Sequence, residues 1–160
     1  MNIVQATVAD AAAILHLQRL AYQSEARIYN DDQIPPLTQT IGEIEKEFGD
    51  LVFLKAATEV GDVVGSVRAR ERDGTCFIGR LIVHPDYQGR GIGSELMRAI
   101  ESRFAYAERF ELFTGHKSQR NLRFYQKHGY RAFGEERVTD ALRRVFLEKD
   151  NSPMRTMENG

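Results

Sequence analysis

The residues best suited to chemistry lie in one stretch, Arg80-Leu-Ile-Val-His-Pro-Asp-Tyr-Gln-Gly-Arg-Gly-Ile-Gly-Ser94. Leu81, Ile82 and Val83 read as the end of an apolar strand, and Pro85 stops its pairing because proline has no N–H for a sheet ladder. Gly89, Gly91 and Gly93 then lead into a segment with helical spacing. A helix start carries unpaired N–H groups and a partial positive charge. Glycine lets that backbone approach an anion closely, and Arg90 adds a cation. Gln88, Gly89, Arg90, Gly91, Ile92, Gly93 and Ser94 are therefore candidates for a phosphate-binding turn. One competing reading is a tight strand-to-helix turn with no ligand. Another is a dinucleotide fold, with Glu111 as its acidic ribose ligand. That fingerprint wants glycine or alanine where Ser94 stands, in a turn directly after the strand. Here residues 84–88 intervene.

Such a turn needs a strand before it and a helix after it, and the surrounding pattern supplies both. Residues 3–5 read as a first strand. Thr7 and Asp10 form a capping box before a helix whose apolar face holds Ile14, Leu17 and Ala21. Residues 22–40, with Pro35 and Pro36, break the periodicity and read as irregular, and residues 41–48 as a short helix. Three strands follow at 51–57, 63–70 and 76–84, and the turns Gly61-Asp62 and Asp73-Gly74 make them an antiparallel meander. Ile92, Leu96, Ile100 and Phe104 mark a helix over 91–104. Beyond it come a strand at 110–114, a helix at 119–128 stopped by Gly129, and strands at 130–135 and 144–148. Strand, helix, strand is a crossover that leaves two strands parallel. The expected fold is α/β (α+β): a mixed, mostly antiparallel twisted sheet of six to seven strands with about four helices, in one domain over 1–150. Residues 151–160 read as a flexible tail.

Bulk properties narrow the partners. The 160 residues suit one domain, and 22 basic against 23 acidic side chains give a formal net charge of −1. That balance gives no general pull toward nucleic acid or an anionic membrane. Cys76, the one cysteine, can form no internal disulfide, which fits a reducing compartment. The first residues lack the basic and continuously apolar regions of a signal peptide, and no apolar run approaches the ~20 residues that span a bilayer. A cytoplasmic protein is expected by elimination.

Gln88-Gly-Arg-Gly91-Ile-Gly93 resembles the coenzyme-A pyrophosphate loop of the GNAT acetyltransferase superfamily. Asn121-Leu-Arg-Phe-Tyr125-Gln-Lys-His-Gly-Tyr130 resembles that superfamily's second coenzyme-A segment. Order and spacing agree, and the resemblance spans residues 52–148. It implies acetyl-CoA as acetyl donor, no metal, and direct attack by a primary amine of a small molecule, amino acid or peptide. It implies a pair of parallel strands splayed to admit the cofactor, with the backbone of Leu81, Ile82 and Val83 pairing along the pantetheine arm. The Val83 N–H would polarise the thioester carbonyl. Asn121 would contact the pantetheine. Tyr125, one helical turn on, would be the general acid, since a phenol of pKa about 10 can protonate a thiolate whose parent thiol sits near 8.5. A homodimer is a further family-level expectation. The same architecture also suits a non-catalytic acyl-CoA sensor or scaffold.

The base departs from the pattern. Many relatives place a glutamate on the strand before the loop, whereas this chain has Phe77-Ile78-Gly79-Arg80. Glu25, Tyr29, Glu71, His84 and His116 are candidates, as is a water chain. Glu25 and Tyr29 are also candidate acceptor-binding residues, because residues 22–40 and 137–143 are the expected acceptor walls. Asp31 and Asp32 are further acids on that segment. Arg68, Arg70 and Arg72 share one strand face, read as solvated. Lys117, Arg120 and Arg123 are candidates for the adenine-ribose phosphate or plain surface.

Overall fold

Asp73 and Gly74 both adopt left-handed backbone, at φ 53° and 87°. This is the conformation a two-residue hairpin turn demands, and it folds the middle of the chain back on itself. In the computed structural model, which describes residues 1–151, that hairpin joins β3 (Val63–Arg72) to β4 (Thr75–Val83). With β1 (Asn2–Gln5) and β2 (Val52–Ala57) they make an antiparallel half-sheet. A second half consists of β5 (Arg109–Gly115), β7 (Arg143–Asp150) and β6 (Arg131–Arg137), also antiparallel. The halves join through the parallel pair β4–β5, giving one seven-stranded sheet in the order β1-β2-β3-β4-β5-β7-β6. The mixed, mostly antiparallel sheet expected from the sequence is present.

Strand alternation divides the core in two. Phe53 and Leu54 are neighbours on β2 and point to opposite faces. Phe53 packs with Ala11, Ile14 and Leu15 of α1 (Ala11–Ala21) and Ile44 of α4 (Ile41–Glu47). Leu54 joins the larger cluster built on Ile92, Leu96, Met97 and Ile100 of α5 (Ile92–Arg103), with Tyr125 of α6 (Gln119–Lys127). Asp10 ties the start of α1 to β2, accepting from Lys55 Nζ at 2.8 Å. Thr40 and Glu43 form a reciprocal cap that starts α4.

The segment 22–40 is more ordered than its sequence pattern predicts. It holds α2 (Gln23–Tyr29) and α3 (Pro35–Thr38), beyond the four helices anticipated. Seven and four residues are too few for a 3.6-residue period to show. α2 buries only Ala26 and Tyr29 and stops at Asn30, which is left-handed at φ 49°.

Arg68 also departs from expectation. Arg70 and Arg72 are exposed as anticipated, but Arg68 is only 3% exposed, under α1 and α4. Its guanidinium lies over the Phe53 ring, pairs with Glu47 Oε2 at 3.1 Å and donates to Gln18 Oε1. Gln18 in turn donates to the Pro36 carbonyl at 2.8 Å. This network fastens α3 to the sheet. Burial pulls the Arg68 pKa down to about 10, against the opposing pull of Glu47.

Of the expected tail, only Asn151 lies within the described residues, and its side chain donates to the Ala107 carbonyl at 2.9 Å. No helix among the described residues is long and apolar enough to cross a membrane.

Candidate active site

β4 and β5 run side by side for three residues only, Thr75–Phe77 against Arg109–Glu111. Beyond Phe77 the strands part, and the gap opens toward the carboxyl ends of both. Each strand then hands over to a helix beside the gap: β4 to α5 through the glycine turn, β5 to α6 through Ser118. The result is a cleft of about 620 Å³, within the size range of small-molecule and cofactor sites.

A bulge on β4 shapes one wall. Ser66 pairs with Ile82 but Arg68 pairs with Gly79, so Arg80 and Leu81 together oppose Val67. Arg80 takes a left-handed φ of 50°. Beyond the bulge the pairing regains its alternation, and the His84 N–H donates to the Val64 carbonyl at 2.8 Å. Successive N–H groups of a strand point to opposite edges, so the Val83 N–H is directed away from β3 and into the gap.

The glycine turn forms the next wall. Gly89 and Gly91 have φ of 78° and 82°, where side chains are strained. A Cβ on either would meet nothing within 4 Å. Gly91 caps α5 and, with Gly89, lines the cleft, so the missing side chains leave room for a ligand at the helix start. Gly93 differs: it lies inside α5, against Phe124. Gln88 accepts from Arg120 Nη1 at 2.9 Å, and Ser94 Oγ lies 3.0 Å from His128 Nε2. These contacts link the glycine turn to α6. The Arg90 side chain instead lies over the Tyr87 ring and donates to the Asp86 carbonyl, outside the cleft lining.

Asn121 and Tyr125 both face the cleft from α6. Asn121 Nδ2 donates to Thr114 Oγ1 at 3.4 Å. Tyr125 is buried against Phe124 and Tyr130. Its hydroxyl makes no hydrogen bond among the described residues, yet no buried side-chain polar atom there lacks a partner, so the hydroxyl opens onto the cleft. Burial above all, then the nearby Tyr22 and Glu25, hold its pKa well above the ordinary phenol value. It stays a neutral proton donor at any working pH.

Glu25 and Tyr29 reach the opposite wall from α2. The Lys117 N–H donates to Tyr29 Oη at 2.9 Å, Tyr29 Oη lies 3.2 Å from Ser118 Oγ, and Ser118 donates to Glu25 at 2.5 Å. Because the carboxylate can only accept, Ser118 gives its one proton to Glu25 and Tyr29 donates to Ser118, so this chain of hydroxyls is directed toward the carboxylate. Tyr29 sits so close to the backbone of Gly115 that a methyl group there would lie 2.6 Å from its Cζ. Gly115→Ala should therefore push out the buried Tyr29 ring. The expected loss is about 1–3 kcal/mol of stability, the usual range for overpacking, read from denaturant unfolding.

The other candidate bases fall away. Glu71 accepts from the Gly74 N–H at 2.7 Å and secures the β3–β4 turn, off the cleft. His84 Nδ1 accepts from the Asp86 N–H at 3.1 Å, and His116 Nδ1 from the Arg143 N–H at 2.9 Å. Neither His84 nor His116 lines the cleft. Asp31, Asp32, Lys117 and Arg123 do not line the cleft, and Arg120 does. Tyr22 belongs to the expected 22–40 wall, but the sequence reading gave no site role to Arg80, Thr114, Ser118 or Arg144, all of which line the cleft. None belongs to a spaced pattern, and only the fold brings them together.

The sequence matches the Acetyltransferase (GNAT) family over residues 12–130. An uncharacterised N-acetyltransferase of Bacillus subtilis, YjcF, is 27% identical over 121 residues, covering 76% of this chain and 83% of that protein. An aminoglycoside N(6')-acetyltransferase of Stenotrophomonas maltophilia is 36% identical over 110 residues, covering 63% of this chain and 65% of that protein. The PaiA N-acetyltransferase of Thermoplasma acidophilum, solved in complex with coenzyme A, shares the fold with a TM-score of 0.77 at 18% identity, over 94% of this chain and 99% of that one. With the matched region spanning most of the sequence and the parallel strands splayed above a glycine-capped helix, the chain belongs to the GNAT family of acetyltransferases.

Proposed function

We propose that this protein transfers an acetyl group from acetyl-CoA to a primary amine by direct attack in a ternary complex. The observation that carries the reading is the convergence on one cleft of an open strand edge, a helix start with two left-handed glycines, and an unpartnered tyrosine hydroxyl. The backbone N–H groups of residues 89–94 hold the pyrophosphate. The free edge of β4 at Leu81, Ile82 and Val83 holds the pantetheine as an added strand. The Val83 N–H polarises the thioester carbonyl and stabilises the charge that develops on its oxygen. As the amine nitrogen bonds to the acetyl carbon, the carbon–sulfur bond breaks and Tyr125 gives its proton to the leaving sulfur. Among the described residues Glu25 is the only carboxylate on the cleft walls, and it attracts the amine and takes its proton, directly or through water.

The test is release of free coenzyme A from acetyl-CoA with a panel of primary amines, beside a direct binding measurement. Amine-dependent release supports transfer. Tight binding with no release on any amine would identify a sensor or scaffold instead.

A further inference from the structure

The cleft walls carry three arginines, Arg80, Arg120 and Arg144, against one carboxylate, Glu25. Two of the three are engaged: Arg120 donates to Gln88, and Arg144 pairs with Glu136 at 3.4 Å. Arg80 is partly buried and pairs with no carboxylate among the described residues; its guanidinium lies 5.9 Å from the centre of the Tyr22 ring. Elsewhere, Arg68 and Arg109 at similar or greater depth are matched by Glu47 and by Glu111 and Glu148. A guanidinium on a cleft wall with no carboxylate partner is a ready counter-charge for an anionic ligand. Arg80 also sits in the β4 bulge at φ 50°. That conformation is strained for a non-glycine residue. Bulges re-aim side chains, and retained backbone strain is characteristic of ligand sites. The position is selective as well. Arg80 precedes the Leu81–Val83 edge and stacks on Tyr22, at the junction of α1 and α2. It is thus on the acceptor side of the cleft, away from the glycine turn that would take the pyrophosphate.

We propose that Arg80 selects an acceptor that carries an anionic group, a carboxylate or a phosphate, besides its amine, and that the guanidinium binds that group directly. The inference rests on the acetyl-transfer reading and adds the substrate class to it. Glu25 and Arg80 then serve the two ends of a zwitterionic amine, and the excess of arginine disfavours a polycation.

The experiment is steady-state acetylation of matched amines: β-alanine and O-phosphoethanolamine against n-propylamine, amino acids against their amides, and an aminoglycoside as polycation. The expected kcat/KM is at least about 10-fold higher for the acid-bearing member of the preferred pair, an effect of the size of one charge-assisted hydrogen bond. Which anion wins separates carboxylate from phosphate. In Arg80→Gln that preference should collapse to within about 3-fold through acceptor KM, with the KM for acetyl-CoA unchanged and Arg80→Lys keeping part of it. Arg80→Gly, which suits the left-handed backbone, guards against a folding defect and should behave like Arg80→Gln. Preference for the neutral amines or the aminoglycoside would overturn the proposal. So would a rise in acetyl-CoA KM, or an equal loss on every acceptor, in the Arg80 variants. Acetyl-CoA binding with no turnover on any amine would instead refute the transfer reading itself.

Discussion

Tyr125→Phe is expected to lower the single-turnover rate of acetyl transfer by about 10²–10⁴, the range for a lost general acid, while leaving acetyl-CoA affinity within a few-fold of the parent. The phenyl ring keeps its packing against Phe124 and Tyr130, and only the hydroxyl that opens onto the cleft is removed. The cofactor keeps both of its holds, the glycine turn and the edge of β4. Because burial raises the Tyr125 pKa above the ordinary phenol value, its ionisation should produce no fall in rate below about pH 10. Single-turnover measurement is needed because slow product release would mask part of the loss in steady state. A folded variant with the full rate would leave Tyr125 a packing residue and assign the proton to solvent.

Gly91→Val should weaken acetyl-CoA binding by roughly 10–100-fold, equivalent to about 1.4–2.8 kcal/mol. Two causes act together. A β-branched residue is strained at φ 82°, and its side chain would enter the open space at the start of α5. Gly93→Ala is the control. Gly93 has helical backbone, and a Cβ there would lie 3.6 Å from Phe124 Cζ, an ordinary contact. Affinity should stay within about 3-fold, and the helix should gain up to about 1 kcal/mol from the lost glycine. Calorimetric titration of both variants checks the pair. Equal effects would mean that the left-handed turn has no special part in holding the anion.

The extent to which the sequence foretold the structure follows the reach of each signal. Hairpin turns and four-residue helical spacing are local, and they placed every strand and the long helices within a few residues. The glycine turn and the Asn121–Tyr125 pair were legible for the same reason, each being a short pattern on a single element. Signals that depend on distant partners were not. Tyr29 and Ser118 meet across 89 residues of sequence, and Gly115 is confined by a ring from α2 rather than by its own turn. Period two on β3 correctly put Arg68, Arg70 and Arg72 on one face, but nothing in that pattern says that α1 and α4 cover the first of them. The Arg80 bulge is equally invisible, because it is a mismatch in count between two strands and belongs to neither alone.

The three-residue contact between β4 and β5 has a consequence for how firmly the two halves of the sheet are held together. Each half-sheet is drawn from its own stretch of sequence, residues 2–83 on one side and 109–150 on the other. The parallel seam has only three rungs to open, and the amides that line the gap are the ones a deuterated solvent should reach first. A ligand that runs along the edge of β4 as an added strand bridges those halves from within. Acetyl-CoA would thus act as a mortar between two bricks. By mass action it should raise the midpoint of thermal unfolding as its concentration climbs above its dissociation constant.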